Sequence, residues 1–440
     1  MDTKHLRYTN FLLTRRIRRV LMSALIASFF LIAPIIILYT AGFGYDITHN
    51  RITHTGVLSI DAHPKDARVY LNEIYSNKDL PLRLSNRPPG VYHLKIEKEG
   101  FLTWEKDITI SNNQTTYIKD VILVKSPNPA KINNTISGIV EIIGSPYAKN
   151  ILILSMVNGV YEITAFDMIK NSTLSIVRLS SQHTPEISVS PFFNSAYAVT
   201  EQNGKKTVRL IALDDPQNVN IFSFDFAQNL ELKWNIYDRT EPLFIKYGDT
   251  IQKINRLNNL ENIIESTSSV WFVDNKSGVW NFREKQIEDT MSDASYNIAE
   301  EITRILDIEK NHIIAQNDLY TILINRENEE KKILDATKYY FNRETGEWWF
   351  WNDWELYTIR KNGSIGLIYR GGEKIVDIQL FDPYGTILIR TEHNTAIFNP
   401  GYNIGQQLLP YTVAGMYVNI KQRELIFLSA QDNLLYKNLF

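Results

Sequence analysis

The 440-residue chain contains no cysteine. Disulfides, thiolate metal sites and cysteine nucleophiles are therefore excluded, and any exported part must be held by core burial alone. Histidine is sparse. The eight residues His5, His49, His54, His63, His93, His183, His312 and His393 fall into no His-x-His, His-x-x-x-His or His-Glu-x-x-His spacing. A metal site would have to be assembled from distant parts of the chain. A Gly-x-Ser-x-Gly elbow, a phosphate loop and a calcium loop are also missing, and no cofactor signature is present. Charge of one sign is lacking too: the net charge is −2, with Lys4, Arg7, Arg15, Arg16, Arg18 and Arg19 concentrated before residue 20. The body of the chain is then mildly acidic, which argues against nucleic acid as a partner.

Long apolar runs are lacking as well, with one exception. From Val20 to Ala41 the chain has 22 residues without a charge, enough to cross a ~30 Å hydrocarbon layer as a helix at ~1.5 Å per residue. Pro34 lies inside the run and Tyr39 near its distal end, both tolerated in a membrane span. A cleaved signal peptide would have a shorter apolar core and a small-x-small cleavage site, which Tyr39-Thr40-Ala41 does not offer. A buried core helix would seldom be apolar on every face. The basic flank precedes the run, so the expected topology is a cytoplasmic tail over 1–19, a transmembrane helix over 20–41 in the lipid bilayer, and everything after it outside the cytoplasm.

Hydrophobic residues make up 44% and charged residues 22% of the chain, so a packed core is expected downstream. Over 55–125 apolar and polar residues alternate with the period of strands. Val57–Ala62 reads as a strand, His63-Pro64-Lys65-Asp66 as a turn and Arg68–Leu71 as the next strand. After Pro88-Pro89-Gly90, Tyr92, Leu94 and Ile96 face one way while Val91, His93, Lys95 and Glu97 face the other, and Thr116–Leu123 closes the set. The opening Leu-Ser-Ile strand, the Val69-Tyr70-Leu71-Asn72 strand, Gly90-x-Tyr92 and Gly100-Phe101 resemble the PEGA domain, although the family's short motif is altered at Pro89 and Val91. The resemblance implies a small, non-catalytic β-sandwich used as a spacer or contact module, and transfers no active-site residue.

After the stiff Ser126-Pro127-Asn128-Pro129 linker, strand-like runs continue to the end. The exception is 284–306, where Tyr296–Ile305 suits a helix or a bulky loop. Repeats are visible: Leu319-Tyr320-Thr321-Ile322 recurs at Leu356-Tyr357-Thr358-Ile359, and Ser145-Pro146-Tyr147, Ser190-Pro191-Phe192 and Asp382-Pro383-Tyr384 each precede an apolar strand. A recurring strand is found near Tyr161, Val208, Ile251, Trp280, Tyr320, Tyr357, Ile397 and Tyr436. Periods of this length with several strands each point to a β-propeller over 130–440 with seven or eight blades, its last blade completed by Ile132–Ile143. The Ser-Pro-aromatic units resemble degenerate TolB- and WD-type propellers; a stack of β-sandwiches is the alternative. The expected fold class is thus an all-β ectodomain, a small β-sandwich plus a propeller, behind one transmembrane helix.

Two features bear on chemistry. The adjacent carboxylates Asp214-Asp215, Glu300-Glu301 and Glu329-Glu330 sit in polar stretches and read as solvated surface, and Asp274 with Gly278-Val279-Trp280 reads as a structural hairpin. The segment Glu347–Trp354 holds four of the eight tryptophans. Trp349 and Trp351 share one strand face, while Trp348 and Trp354 share the other with Phe350. They form either an aromatic platform for sugar rings or a protein hot spot, or else packing between blades. The expectation is a non-enzymatic, membrane-anchored scaffold that binds a protein or cell-wall glycan. The alternative is an envelope hydrolase or lyase with carboxylates around the propeller channel.

Overall fold

The computed structural model describes residues 15–40, 42–46, 51–132, 136–145, 147–179, 184–225, 229–238, 240, 242–254, 258–292, 294–298, 300–431 and 434–439. Most of the basic tail, Pro146 and Asp432-Asn433 lie outside them. The chain forms two compact units that divide between Lys125 and Ser126.

In the first unit the apolar run is the helix α1, Arg15–Thr40, which begins inside the segment expected to be tail. None of its most apolar stretch is buried, so it is not the core helix of this unit. Pro34 sits inside it, and the Thr40 hydroxyl donates back to the Ile36 carbonyl at 2.9 Å. The strands β1 (Phe43–Asp46) and β2 (Arg51–His54) pair as a short antiparallel ribbon.

Next come β3 (Gly56–His63), β4 (Arg68–Leu71), β5 (Ile74–Ser76), β6 (Leu82–Arg87), β7 (Gly90–Glu97), β8 (Trp104–Ile110) and β9 (Thr115–Ile122). They build two sheets, ordered β6-β3-β9 and β5-β4-β7-β8, with β3 and β9 parallel. The alternation read from the sequence is what the two sheets use. Leu58, Ile60 and Ala62 of β3, and Leu94 and Ile96 of β7, are fully buried, as the inward face of a two-layer sandwich requires. Each such side chain contributes about 1.5–3 kcal/mol of burial. Trp104, Ile108 and Ile110 complete the core from β8.

The second unit contains eight four-stranded sheets among the described residues. By residue number they are sheet 1 (139–179), sheet 2 (186–225), sheet 3 (230–265), sheet 4 (271–297), sheet 5 (304–334), sheet 6 (338–370), sheet 7 (375–409) and sheet 8 (413–439). Sheets 1 to 7 are simple antiparallel meanders. In sheet 8 the fourth strand is supplied by Ala130–Lys131, which pairs with Tyr436 and Lys437. The Ile132 amide donates to the Leu435 carbonyl at 2.9 Å and the Asn128 amide to Asn438 Oδ1 at 2.7 Å. The completing segment is therefore 130–131, just ahead of the expected 132–143, because Ile139–Ile143 is already the first strand of sheet 1.

Each sheet packs on the next through shared apolar clusters, from sheets 1 and 2 through to sheets 5 and 6. Tyr369 against Phe398 joins sheets 6 and 7, and Gln379, bonded to the backbone of Met416 and Val418, joins sheets 7 and 8. The circuit returns to its start where Tyr417 and Ile426 pack with Ile142 and Ile151. Gly144 matters here, since a Cβ at that position would lie 2.4 Å from the Tyr417 ring.

Second strands are covered on both faces by neighbouring sheets and are buried almost throughout, as in Asn150–Val157, His312–Gln316 and Glu347–Trp351. Of the two expectations for Tyr296–Ile305, a helix or a bulky loop, the described residues show no helix, and 300–303 run between strands without regular structure. Gln286–Asp289 and Ser295–Asn297 end sheet 4, and Arg304–Ile308 starts sheet 5. Six of the eight marker residues fall on third strands. Tyr320 lies just before one, and Trp280 lies on a second strand, Val279–Arg283. That misplacement accounts for the short interval after Ile251.

Candidate binding cavity

Strands of a meander alternate in direction. The starts of first strands and the turns between second and third strands therefore lie at one end of the unit, and the turns between first and second strands lie at the other. The second end is closed. Arg343, in the first turn of sheet 6, donates to Pro191 O at 2.9 Å, Asn194 Oδ1 at 3.1 Å, Ser190 O at 3.3 Å and Ser145 Oγ at 2.9 Å. Those acceptors belong to the first turns of sheets 1 and 2, neither of which neighbours sheet 6 in the packing order, so one guanidinium ties turns across the middle.

Beside it Phe192 packs on Phe341 and Trp348, with ring centres 4.8 and 5.8 Å apart. Trp348 Nε1 donates to Asp307 Oδ2 at 2.8 Å, and the Tyr237 hydroxyl to Asp307 Oδ1 at 3.3 Å. Burial pushes the Asp307 carboxyl up to about 6, reinforced by Glu309 and opposed by those two donors.

Above this floor lies a cavity of about 770 Å³, a size that accommodates a small ligand or a peptide side-chain cluster. Its walls come mainly from the first strands of sheets 2, 3, 5 and 6. Leu230–Trp234 supplies both faces of the wall. Trp234 turns toward sheet 2, with Nε1 donating to Ser188 Oγ at 3.1 Å and its ring 5.1 Å from Tyr197. Glu231 and Lys233 turn toward sheet 4. Trp271 Nε1 donates to Glu231 Oε2 at 2.6 Å, and the Lys233 ammonium donates to the Trp271 carbonyl and lies 4.5 Å from the centre of its ring.

Burial lowers the Lys233 ammonium to about 8; Glu231 opposes the shift, and the charges of Lys246 and Arg304 add to it. Across the cavity the Tyr197 hydroxyl donates to Glu186 at 3.4 Å, and burial, with the Glu186 charge, raises that phenol to about 12. Lys206 and Arg304 complete the charged lining.

The four tryptophans singled out in the sequence part company. Trp348, Trp349 and Trp351 are 4%, 3% and 5% exposed, whereas Trp354 is 51% exposed. Trp348 lines the cavity floor, and Trp349 packs on Tyr340 at 5.5 Å. At these three positions the rings pack between sheets, because a second strand is enclosed on both faces. Only Trp354, in the turn beyond the strand, reaches the surface. Asp274 is the structural residue its spacing suggested, accepting from Gly278 N at 2.8 Å and Trp280 Nε1 at 3.0 Å.

Sequence reasoning missed Lys233, Arg304 and Arg343. Lys233 had one signal available, a lysine inside the apolar-aromatic strand Leu230–Trp234. Arg343 had a weaker one: it sits where other units place Ser-Pro-aromatic.

Among solved structures, the chain is similar to an uncharacterized protein from Listeria monocytogenes, at 13% identity over 63% of this chain and 98% of that one, TM-score 0.42. The chain is also similar to the β-propeller domain of Cps50 (Swd1) from Myceliophteria thermophila, at 10% identity over 71% and 99%, TM-score 0.42. A third is the WD40 domain of Toxoplasma gondii coronin, at 11% identity over 72% and 87%, TM-score 0.38. No curated protein matches the chain in sequence. Residues 55–123 match the PEGA domain family, so the first unit carries a PEGA domain behind its helix.

Proposed function

We propose that this chain is a single-pass membrane protein in which α1 crosses the bilayer with its N-terminus in the cytoplasm. The PEGA domain then serves as a spacer, and an eight-bladed propeller presents a binding surface outside the cytoplasm to a protein or cell-wall glycan. The observation that carries the reading is the asymmetry of the second unit. One end is tied shut by Arg343, and the other opens into a cavity lined by aromatic and charged side chains. The exposed helix ahead of the PEGA domain, without a charge from Val20 to Thr40, supports the anchor.

A non-enzymatic role is favoured over the envelope hydrolase. Both carboxylates in the cavity lining are engaged, Glu186 by Tyr197 and Glu231 by Trp271, whereas a glycosidase needs a free pair flanking the scissile bond.

Two observations test the proposal. Full-length protein should stay with membranes in alkaline carbonate and lose its second unit to protease added outside spheroplasts. It should also retain its own first residues when its N-terminus is sequenced. Release by carbonate, or a mature chain that starts after residue 41, would replace the anchor with a cleaved signal.

A further inference from the structure

The cavity is richer in positive than in negative charge, with Lys206, Lys233 and Arg304 against Glu186 and Glu231. Glu231 is committed twice: it accepts from Trp271 Nε1, and its other oxygen lies 3.8 Å from Lys246 Nζ, whose ammonium also donates to Ser268 O at 2.7 Å. Glu186 accepts from Tyr197. Among the described residues, neither Arg304 nor Lys206 has an ion-pair or side-chain hydrogen-bond partner. Lys233 bonds only a carbonyl oxygen and the face of Trp271. Arg304 is exposed and Lys206 half-buried, so both ends are free to turn to a ligand in the cavity. Burial is the main cause of the depressed Lys233 ammonium, and the charges of Lys246 and Arg304 add to it.

The lining is also aromatic: Tyr197 and Trp234 are in contact, and Phe272, Tyr339 and Trp348 join them. A site of this composition suits a ligand that pairs an oxyanion with cations and an apolar or ring-bearing body with aromatic rings.

We propose that the cavity binds a ligand carrying a carboxylate or phosphate next to an apolar or ring-shaped moiety, the oxyanion held by Arg304, Lys206 and Lys233. This rests on reading the open end as the binding end. The buried aromatic wall sets it apart from a surface that attracts anions without selection, since a bare salt ion would leave most of 770 Å³ unfilled. Carboxylate and phosphate share the recognition chemistry, so the test separates them.

The full chain in detergent micelles is titrated with N-acetylphenylalanine, phenyl phosphate and the neutral trimer of N-acetylglucosamine, with potassium chloride matching ionic strength. Thermal unfolding and calorimetry are both read. One of the two anions should raise the unfolding midpoint of the second unit by about 3–5 °C at saturation. Which one does so identifies the oxyanion. Arg304→Gln with Lys206→Gln, both outside the packed core, should weaken that binding about tenfold or more and leave the midpoint without ligand unchanged.

Anion shifts that persist undiminished in the double variant would overturn the assignment to this cavity. Binding of the neutral trimer alone would overturn the ligand class while leaving the open end as a binding site. No binding of any of the three would overturn both.

Discussion

The two ends of the second unit are built from the same kind of element, short turns between antiparallel strands, yet they do opposite things. At the closed end, turns from sheets 1, 2, 3 and 6 meet the first strand of sheet 5 through Arg343, Phe192, Tyr237 and Asp307, and Arg343, Trp348, Tyr237 and Asp307 are matched donor to acceptor. At the open end the side chains diverge. Arg304 has no partner among the described residues, and Leu319 and Trp354 are 72% and 51% exposed. Satisfied polar groups and packed rings make a structural lock, and unsatisfied charges beside exposed rings make a surface that awaits something. Stability and binding are thereby assigned to different ends of the same strands.

The sharpest way to break that division is truncation at the lock. Trp348→Ala removes a buried ring that touches Phe192, Phe341 and Phe350 and leaves Asp307 short of a donor. It should cost about 3–5 kcal/mol in denaturant unfolding of the second unit. Trp354→Ala, six residues along, should stay within about 0.5 kcal/mol of the parent. Equal costs would erase the contrast.

Arg343→Ala should come next, at about 3 kcal/mol, because four acceptors lose a charged donor at once. A loss below about 1 kcal/mol would mean that the turns hold themselves together without it.

Asp307 gives a smaller, pH-dependent effect. Its folded carboxyl is raised from 3.8 to about 6, so between those values the folded state holds a proton that the unfolded chain releases. Its contribution to stability therefore grows as pH falls from about 7 through 6 and levels off below about 4. Asp307→Asn should abolish that component, on the order of 2 kcal/mol, in unfolding midpoints measured from pH 7 to pH 4. A variant with the same profile as the parent would place the titration elsewhere.

Legibility from sequence followed the number of buried faces. Strands with one wet face, such as Gly56–His63 and Gly90–Glu97, kept the alternation that locates them, and the apolar strands expected after Ser190-Pro191-Phe192 and Asp382-Pro383-Tyr384 are second strands. Second strands lost it. Glu347–Trp351 is buried on both faces, so its aromatics read equally well as platform or packing. Sheet 4 was misread because its third and fourth strands have only four and three residues, too short to show a period. The lock and the cavity were out of reach for a different reason. Arg343 meets partners about 150 to 200 positions away, and nothing in a local window encodes which turn it will cross.

The proposed division of labour is tested most directly by photo-crosslinking in living cells. A photoreactive residue is placed at exposed Leu319 on the open end and, separately, at Tyr384, 64% exposed in a first turn on the closed end. Mass-shifted adducts from Leu319 and none from Tyr384 are the result the account predicts. Adducts from Tyr384 with Leu319 silent would contradict it, and would make the Arg343 end the working face.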